Sequence, residues 1–341
     1  MKAVLFREHG NVDVLRIEEV SQPTPGLTGV VVKVHACGVN RLDIYSRAGR
    51  TKVAPMPHIS GSEVSGEIVA IGEAVSGLAV GQAVSVAPYL FCGQCEFCRA
   101  GEEVLCLKGD IVGLANQGGY AEFVHVPASS IVALPNGVDF VSAAAVGLAT
   151  ITAWHMLTTR APIQPGQDVL VHAAGSGVGS AAIQIAKLSG ARVIATAGST
   201  EKLALARKLG ADEVINYNEQ DFSQEVKRIT NKRGVDVVVE HIGEHTWEKS
   251  VACLTRNGRL VTCGATTGNE GKVNIWSLFA KEISLIGSYG GTRKDLADVL
   301  KLVATGQLKP VVYGTYSLEQ IGKVQQLMDS RAQFGKLVIT P

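Results

Sequence analysis

One segment constrains the fold of this chain more than any other. Between residues 168 and 188, an apolar stretch, a turn of small residues and a helical stretch follow one another directly. From there to residue 240, apolar segments of strand length alternate with segments of helical periodicity. This alternation predicts βαβ units in a parallel, doubly wound sheet with helices on both faces.

The turn of small residues has the chemistry of a dinucleotide site. Its members before the predicted helix are Gly175, Ser176, Gly177, Val178 and Gly179. Small residues let the backbone approach a pyrophosphate, and the helix N-terminus offers free N–H groups and a partial positive charge. The match to G-x-G-x-x-G is imperfect, since Ser180 takes the last glycine position when counting starts at Gly175. The strand before and the helix after favour nucleotide binding over a merely structural turn.

The end of the second predicted strand indicates which nicotinamide dinucleotide is bound. An NAD-binding sheet places Asp or Glu there, about 20 residues on, against the ribose 2′-hydroxyl. This chain instead has Ala197-Gly-Ser-Thr200, followed by Lys202. A carboxylate would repel a 2′-phosphate, whereas Ser199 and Lys202 can donate hydrogen bonds to it, so we expect NADP(H). The alternative is that Lys202 is a solvated residue at a helix start, and the prediction therefore rests mainly on the missing acid.

Four of the seven cysteines have the spacing of a metal site. Cys92, Cys95, Cys98 and Cys106 form the pattern C-x2-C-x2-C-x7-C, which supplies four thiolates for a closed tetrahedral site of the structural zinc type. An iron–sulfur run needs its fourth cysteine about three residues on, with a proline after it, so zinc is favoured. The other alternative is four unligated thiols. We expect one zinc ion that stabilises the cysteine lobe (residues 92–106) and does no chemistry.

Charge and hydropathy argue against several classes of protein. Lys and Arg number 32 and Asp and Glu 31, so the net charge of +1 gives no field for a nucleic-acid backbone or an anionic membrane. The longest apolar stretch, residues 143–156, is shorter than the roughly 20 residues of a membrane helix. The apolar start before Arg7 is too short for a secretion signal. We therefore expect a cytosolic protein with a small-molecule partner, and no nucleic acid or membrane.

The chain divides into three segments by pattern. Residues 1–126 carry short β-rich stretches bounded by glycine or proline, which predicts a β-rich domain containing the cysteine lobe. Residues 127–292 contain the strands of a six-stranded parallel sheet. Residues 293–341, with one helix and a last strand, are expected to return to the first domain. The predicted fold class is thus α/β.

Further stretches resemble the medium-chain dehydrogenase/reductase superfamily, which includes zinc alcohol dehydrogenases and NADPH quinone oxidoreductases. They are Ala36-Cys-Gly-Val-Asn-Arg-Leu-Asp43, Gly61-Ser-Glu-Val-Ser-Gly66 and Gly118-Gly-Tyr-Ala-Glu-Phe123, together with the lobe and the glycine turn. The resemblance covers nearly the whole chain. It implies a GroES-like catalytic domain, a Rossmann dinucleotide domain and a cleft between them for hydride transfer.

The catalytic-zinc ligands of the alcohol-dehydrogenase branch are replaced in this chain. The resemblance places a cysteine, a histidine and a second cysteine of that branch at Asn40, Ser62 and Leu148, and a proton-relay hydroxyl at Leu42. An amide, a hydroxyl and a leucine do not form an open N/S site for Zn²⁺. Cys37 lies three residues too early to substitute and is interpreted as a small buried side chain.

The stretch around Asn40 is similar to the quinone-oxidoreductase branch, where G-V-N-x-x-D-x-Y lines the nicotinamide site. The resemblance implies Asn40, Asp43 and Tyr45 as site residues, with Thr150 near them. Tyr45 also has the simpler interpretation of a packed aromatic. The same branch implies four nucleotide contacts: Lys202 and Tyr217 at the 2′-phosphate, and Arg331 and Lys336 from the C-terminal segment. That branch usually lacks a zinc lobe, so the chain combines features of both.

These observations lead to one functional hypothesis and two alternatives. In the first, NADPH delivers hydride to a quinone or conjugated carbonyl compound without a catalytic metal, while Asn40 and Tyr45 bond the carbonyl oxygen and Asp43 orients their loop. The alternatives are a zinc alcohol dehydrogenase with unusual ligands such as Glu63, and an NADP(H)-binding redox sensor without activity. By analogy with the family, we expect a homodimer or homotetramer that uses residues 283–288 as an edge strand.

Overall fold

The chain divides into two units in a computed structural model that describes all 341 residues. Unit 1 comprises Met1–Ile151 and Gly291–Pro341, and unit 2 comprises Thr152–Gly290. The C-terminal segment returns to the first unit, as predicted, but the predicted boundary at residue 126 is too early. The strand and helix that follow residue 126 pack on the sheet of unit 1. Hydrophobic periodicity shows that a segment is buried, but not which core it joins.

The secondary structure consists of alternating strands and helices. The strands are β1 (Lys2–Leu5), β2 (Arg16–Glu19), β3 (Gly29–Gly38), β4 (Glu63–Ile71), β5 (Ala83–Val86), β6 (Tyr89–Leu90), β7 (Asp110–Ile111), β8 (Phe123–Pro127), β9 (Ile131–Ala133), β10 (Asp168–Val171), β11 (Arg192–Ala197), β12 (Glu213–Asn216), β13 (Val235–Glu240), β14 (Leu254–Thr262), β15 (Ser284–Gly287), β16 (Val312–Ser317) and β17 (Lys336–Thr340). The helices are α1 (Arg41–Arg47), α2 (Glu96–Arg99), α3 (Phe140–Val146), α4 (Ala149–His155), α5 (Gly177–Leu188), α6 (Thr200–Lys208), α7 (Phe222–Ile229), α8 (Glu244–Ala252), α9 (Ile275–Ala280), α10 (Arg293–Ala304) and α11 (Ile321–Asp329).

Unit 1 is built on a seven-stranded sheet with the order β16-β17-β3-β4-β5-β9, in which β8 also pairs with β3. Strand β3 is antiparallel to both β17 and β4, and Gly38 lies opposite Val338 on one side and Glu63 on the other. Apolar side chains such as Val30, Val32 and Ile68 are fully buried in its core. The register brings the start of β17, the end of β3 and the start of β4 to one end of the sheet.

Unit 2 contains a six-stranded sheet with the order β12-β11-β10-β13-β14-β15, and every pair in it is parallel. This order confirms the predicted Rossmann sheet. Its central strands are apolar on both faces because helices cover both, as the fully buried run Val169–Leu170–Val171 shows. The strand order reverses between β10 and β13, and ligands of such sheets bind outside the carboxyl ends of the strands at that point.

A helix that spans a membrane needs about 20 consecutive, mainly apolar residues. No single helix combines the necessary length and apolar character. One bent pair, Phe140–Val146 followed by Ala149–Arg160, passes by length and composition alone. Most residues of this pair are buried inside the protein. Helices in protein cores often have the same length and apolar composition.

Candidate active site

Lys336 lies at the centre of a buried polar cluster in unit 1. Its Nζ forms an ion pair with Glu63 Oε2 at 2.7 Å and donates hydrogen bonds to Asn40 Oδ1 at 2.7 Å and Val39 O at 2.8 Å. The side chains of Lys336 and Glu63 are 6% and 0% exposed. Sheet register explains the meeting: Lys336 begins β17, Glu63 begins β4, and β3 between them leads into Asn40. Residues 296 positions apart in the chain thus share one hydrogen bond.

Both carboxylate oxygens of Glu63 face donors of unit 1. Oε1 accepts from the backbone N–H groups of Leu148 at 2.6 Å and Ala149 at 2.9 Å, and Oε2 faces Lys336. Gly38 is required for this approach, because a Cβ there would lie 2.0 Å from Glu63 Oε2. Removing one partner of such a buried ion pair typically costs about 3–5 kcal/mol. Glu63 Oε2 accepts no hydrogen bond and has the Lys336 ammonium as its partner, so a metal ion bound there would have to displace that ammonium.

Asp43 adds a second buried carboxyl group to the cluster. Its Oδ2 accepts from the Tyr120 hydroxyl at 2.7 Å and from the Asn40 backbone N–H at 2.7 Å. Burial raises the pKa of Asp43 to about 6, although these hydrogen bonds and the charge of Lys336 oppose the rise. The bond to the Asn40 backbone fixes the entry into α1, which supports the predicted orienting role of Asp43.

Besides Glu63 Oε2, which has only its ion pair with Lys336, two polar atoms of the cluster region have no hydrogen-bond partner in the protein. They are Asn40 Nδ2, in a side chain 8% exposed, and Ser62 Oγ, in a side chain 0% exposed. Asn40 and Ser62 are two of the three positions that correspond to zinc ligands in the alcohol-dehydrogenase branch, and the third, Leu148, is apolar. Buried polar atoms in proteins nearly always have a partner, so these two mark a place for water or a ligand.

The structure gives Lys336 partners other than those that the sequence predicted. The sequence placed it at the nucleotide. Within unit 1, its Nζ donates hydrogen bonds to Val39 O and Asn40 Oδ1 and forms the ion pair with Glu63 Oε2. Lys336 therefore belongs to the Asn40 cluster, and its contact with the nucleotide stays a prediction. Arg331, the other predicted contact from this segment, lies in unit 1 just after α11 and is exposed.

Tyr45, Thr150 and Cys37 lie close to the cluster in the chain. Tyr45 is half-buried on α1, with the Arg50 guanidinium 5.8 Å from its ring centroid. Thr150 is 5% exposed and directly follows Ala149, whose N–H donates to Glu63. Cys37 is fully buried, and burial raises the pKa of its thiol well above the usual value, which fits a small buried side chain rather than a ligand.

The glycine turn of unit 2 has the close packing that a dinucleotide site needs. A Cβ on Gly179 would lie 2.3 Å from the carbonyl oxygen of Ala173, so a larger residue would separate α5 from β10. Ala173 has a φ of 47°, which sets the tight turn. Ser176 caps α5, since its Oγ accepts from the N–H of Gly179 at 2.8 Å, and the half-buried Gly177 and Val178 form the first turn.

The residues predicted at the 2′-phosphate meet where β11 and β12 end. Tyr217 is exposed, and a Cβ on Gly198 would lie 2.6 Å from its hydroxyl. Ser199 caps α6, its Oγ accepting from the Lys202 N–H at 3.3 Å. No acid ends β11, but Glu201 lies in the first turn of α6, where its own N–H and the Ser199 hydroxyl lower the pKa of its carboxyl.

His241 is a residue of this region that the sequence reasoning missed. It follows β13, and its Nε2 lies 3.1 Å from Ser176 Oγ, while its Nδ1 has no protein partner. Burial lowers the pKa of the ring to about 4, so it is neutral at physiological pH. A polar residue directly after an apolar strand was the available signal, because strand ends at the switch point of such a sheet bind ligands.

The cysteine lobe brings its four thiols together. The Sγ atoms of Cys92, Cys95, Cys98 and Cys106 all lie within 4.8 Å of one another, and three of the pairs are 3.5 to 3.9 Å apart. Tetrahedral zinc with Zn–S bonds of about 2.3 Å separates its sulfurs by about 3.8 Å. Backbone N–H groups lower the pKa of Cys92 and Cys95, whereas burial and the neighbouring thiols raise the pKa of Cys98 to about 12. The donor set therefore fits a structural zinc ion.

Comparison with known proteins decides the family. The model for the alcohol dehydrogenase GroES-like domain matches residues 26–136, and the model for zinc-binding dehydrogenases matches residues 177–305. The chain belongs to the medium-chain dehydrogenase/reductase superfamily. This confirms the resemblance and the GroES-like and Rossmann architecture inferred from the sequence.

Relatives within the superfamily match this dehydrogenase/reductase chain over its whole length. The quinone oxidoreductase of Rattus norvegicus is 31% identical over 99% of this chain and 97% of its own. The acryloyl-coenzyme A reductase of Metallosphaera sedula is 33% identical, with 100% of both chains covered. The solved structure of an NAD-dependent alcohol dehydrogenase is 41% identical, with a TM-score of 0.96 and 100% of both chains covered.

Proposed function

We propose that this protein is a nicotinamide-dependent reductase that passes hydride from NADPH to a quinone, an enone or a related conjugated carbonyl compound, without a catalytic metal. Two of the relatives support this class, since they are named quinone oxidoreductase and acryloyl-coenzyme A reductase. The nucleotide binds on unit 2, and the substrate oxygen is held at the Asn40 cluster of unit 1.

The observation that carries the proposal is the ion pair between Glu63 and Lys336. The alternative of a zinc alcohol dehydrogenase with unusual ligands needs Glu63 as a ligand, but its oxygens already face Lys336 and two backbone N–H groups. The cluster also contains its own positive charge in the ammonium of Lys336. A metal ion at Glu63 Oε2 would have to separate this ammonium from its carboxylate partner, which is costly for a buried ion pair.

The residues of the cluster perform the steps that a metal would otherwise assist. The nicotinamide, when bound, supplies the hydride. Asn40 donates a hydrogen bond to the carbonyl oxygen as negative charge develops there, and Asp43 holds the backbone of Asn40 in place. Tyr45 lies in α1, which begins directly after Asn40, and its hydroxyl is a second donor for that oxygen. The proton that completes the reduction comes from a hydroxyl or from water.

The nucleotide preference is NADP(H) in this proposal. No acid ends β11, and Ser199, Lys202 and Tyr217 gather there, which favours a 2′-phosphate. NAD(H) is the second candidate, because Glu201 lies in the next turn and the relative of known structure is named NAD-dependent. Comparison of kcat/KM for NADPH and NADH with one substrate decides between them, and a preference for NADH would contradict the first.

The function is tested by following NADPH oxidation with a benzoquinone, a cyclic enone and an unsaturated acyl thioester after removal of loosely bound metal. We expect turnover with at least one of these acceptors. Activity with simple alcohols that needs added zinc would favour the alcohol-dehydrogenase alternative. NADPH binding without turnover of any acceptor would favour the non-enzymatic redox sensor. The same proposal places the protein in the cytosol as a homo-oligomer.

A further inference from the structure

We propose that Lys336 is a positioning residue that fixes and polarises the carboxamide of Asn40, so that Asn40 Nδ2 donates to the substrate oxygen. The inference rests on the proposed reductase function and deepens it. It assigns a mechanistic role to a lysine that contacts neither the substrate nor the nucleotide in the proposal.

The contact with Lys336 fixes the orientation of the Asn40 side-chain amide. An ammonium group has donors and no acceptor, so the atom of Asn40 at 2.7 Å from Lys336 Nζ has to be the carbonyl oxygen. This contact sets which end of the carboxamide is Oδ1 and which is Nδ2. Because Asn40 is 8% exposed, the side chain has little freedom to exchange the two ends.

The Asn40 amide also has a free donor, its Nδ2 group. Asn40 Nδ2 has no hydrogen-bond partner in the protein, although the residue is buried. A buried amide donor in a folded protein is rarely left without a partner. The substrate oxygen supplies that partner, because it is the acceptor that the proposed reaction brings to this place.

Lys336 also changes the donor strength of the Asn40 amide through its positive charge. A cation bound to Oδ1 draws electron density from the amide and makes its N–H bonds better donors, an effect that is strongest where water is excluded. As hydride adds to the substrate carbon, the carbonyl electron pair moves onto oxygen, and Asn40 Nδ2 stabilises that charge. A proton from water completes the reduction, and the nicotinamide is left oxidised.

Glu63 makes this arrangement stable. Its carboxylate neutralises the buried ammonium at 2.7 Å, and it is itself held by the N–H groups of Leu148 and Ala149. Gly38 provides the space for Glu63 Oε2. A buried ammonium without this partner would lose its charge or disrupt the fold.

The test uses a neutral replacement of the ion pair. Lys336→Met alone leaves Glu63 unpaired and risks unfolding, so the double variant Glu63→Gln/Lys336→Met is compared with wild type and with Lys336→Arg. The measurement is the single-turnover rate of NADPH oxidation with saturating acceptor, with NADPH affinity and Tm as controls for folding. We expect the double variant to bind NADPH normally and to slow hydride transfer by about 10- to 100-fold, and Lys336→Arg to restore part of the rate.

Asn40→Ala decides whether Lys336 acts through Asn40. In an Asn40→Ala background, the Glu63→Gln/Lys336→Met change should have no further effect on the hydride-transfer rate, because the donor it polarises is gone. An equal loss in both backgrounds, or a rate that stays at the wild-type value while only Tm falls, would overturn the proposal.

A failure of the proposed function is distinguishable from a failure of this inference. Wild-type protein that oxidises NADPH with none of the acceptors contradicts the function. The side-chain amide of Asn40 is then followed by NMR with ¹⁵N-labelled asparagine, its signal assigned by loss in Asn40→Asp. We expect the Nδ2 signal to move in the Glu63→Gln/Lys336→Met variant, and an unchanged signal would overturn the positioning role on its own.

Discussion

The carboxyl group of Asp43 is buried, and the loss of surrounding water destabilises its charged form. Burial raises its pKa to about 6 from 3.8, while Tyr120 and the Asn40 N–H stabilise the charged form. Above pH 6 the carboxylate accepts both hydrogen bonds and holds the Asn40 loop. Below it, the carboxyl group takes up a proton and loses acceptor capacity.

The Asp43→Asn variant tests this titration. We expect wild-type kcat/KM to fall below pH 6, and this acid limb to be absent in Asp43→Asn. Stability changes in the opposite direction, because the folded state binds the Asp43 proton more tightly than the unfolded state. Between about pH 4 and 6, wild type should lose stability relative to Asp43→Asn as the pH rises. A matching acid limb in both proteins would contradict this assignment.

The residues of the cluster show what the sequence could and could not predict. Asn40 and Asp43 were found because their motif is local, and the loss of the zinc ligands was read from single positions. The partners of Lys336 were not found, since the contact joins residues 296 positions apart and depends on the order of strands in the sheet. A lysine at the start of a buried strand was the signal available, because lysine is rarely buried without a partner.

At the scale of elements, the strand β10, the turn after it and the helix α5 were predicted well. A turn of small residues between an apolar strand and a helix is a specific pattern with few other structural explanations. The predicted alternation of strands and helices up to residue 240 is observed in β11, β12 and β13 and the helices between them. The first boundary between units was misplaced because β9 and α3 are attached to unit 1 by tertiary pairing, which a sequence window does not contain.

Gly179→Ala tests the packing of α5 on β10. The added Cβ would lie 2.3 Å from Ala173 O, so α5 has to move away and its N-terminus leaves the nucleotide site. We expect a stability loss of about 1–3 kcal/mol and at least tenfold weaker NADPH binding, measured by thermal unfolding and fluorescence titration. Gly322→Ala, where a Cβ comes no closer than 3.4 Å to Val12 Cγ2, is the control and should leave NADPH affinity near wild type. Equal affinities for all three proteins would contradict the placement of the nucleotide at this turn.

At the scale of the whole molecule, the exposed aromatic side chains of α9 support the proposed oligomer. Ile275, Trp276 and Phe279 are 74%, 71% and 58% exposed, and they follow one another on one short helix of unit 2. Contiguous apolar surface of this kind commonly marks a protein–protein contact. Strand β15 of the same unit ends the sheet and is available to pair with a second copy.

The variant Trp276→Glu/Phe279→Glu tests this surface. We expect wild type to show the mass of a dimer or tetramer by sedimentation, and the variant to shift toward the monomer because two charges would be buried in the contact. Tyr313→Glu, at an exposed aromatic of unit 1, is the control and should keep the wild-type mass. A monomeric wild type would contradict the oligomer.

In the proposed reaction, hydride transfer proceeds without a metal at the Asn40 cluster, and counting the metal ions per active chain is the sharpest test of this. Zinc is counted by mass spectrometry in wild type and in Cys95→Ser, alongside NADPH oxidation after treatment with a chelator. We expect one zinc per chain in active wild type, held by the cysteine lobe and lost in Cys95→Ser. Two metal ions per chain, with activity that follows occupancy of the second and disappears in Glu63→Gln, would contradict it.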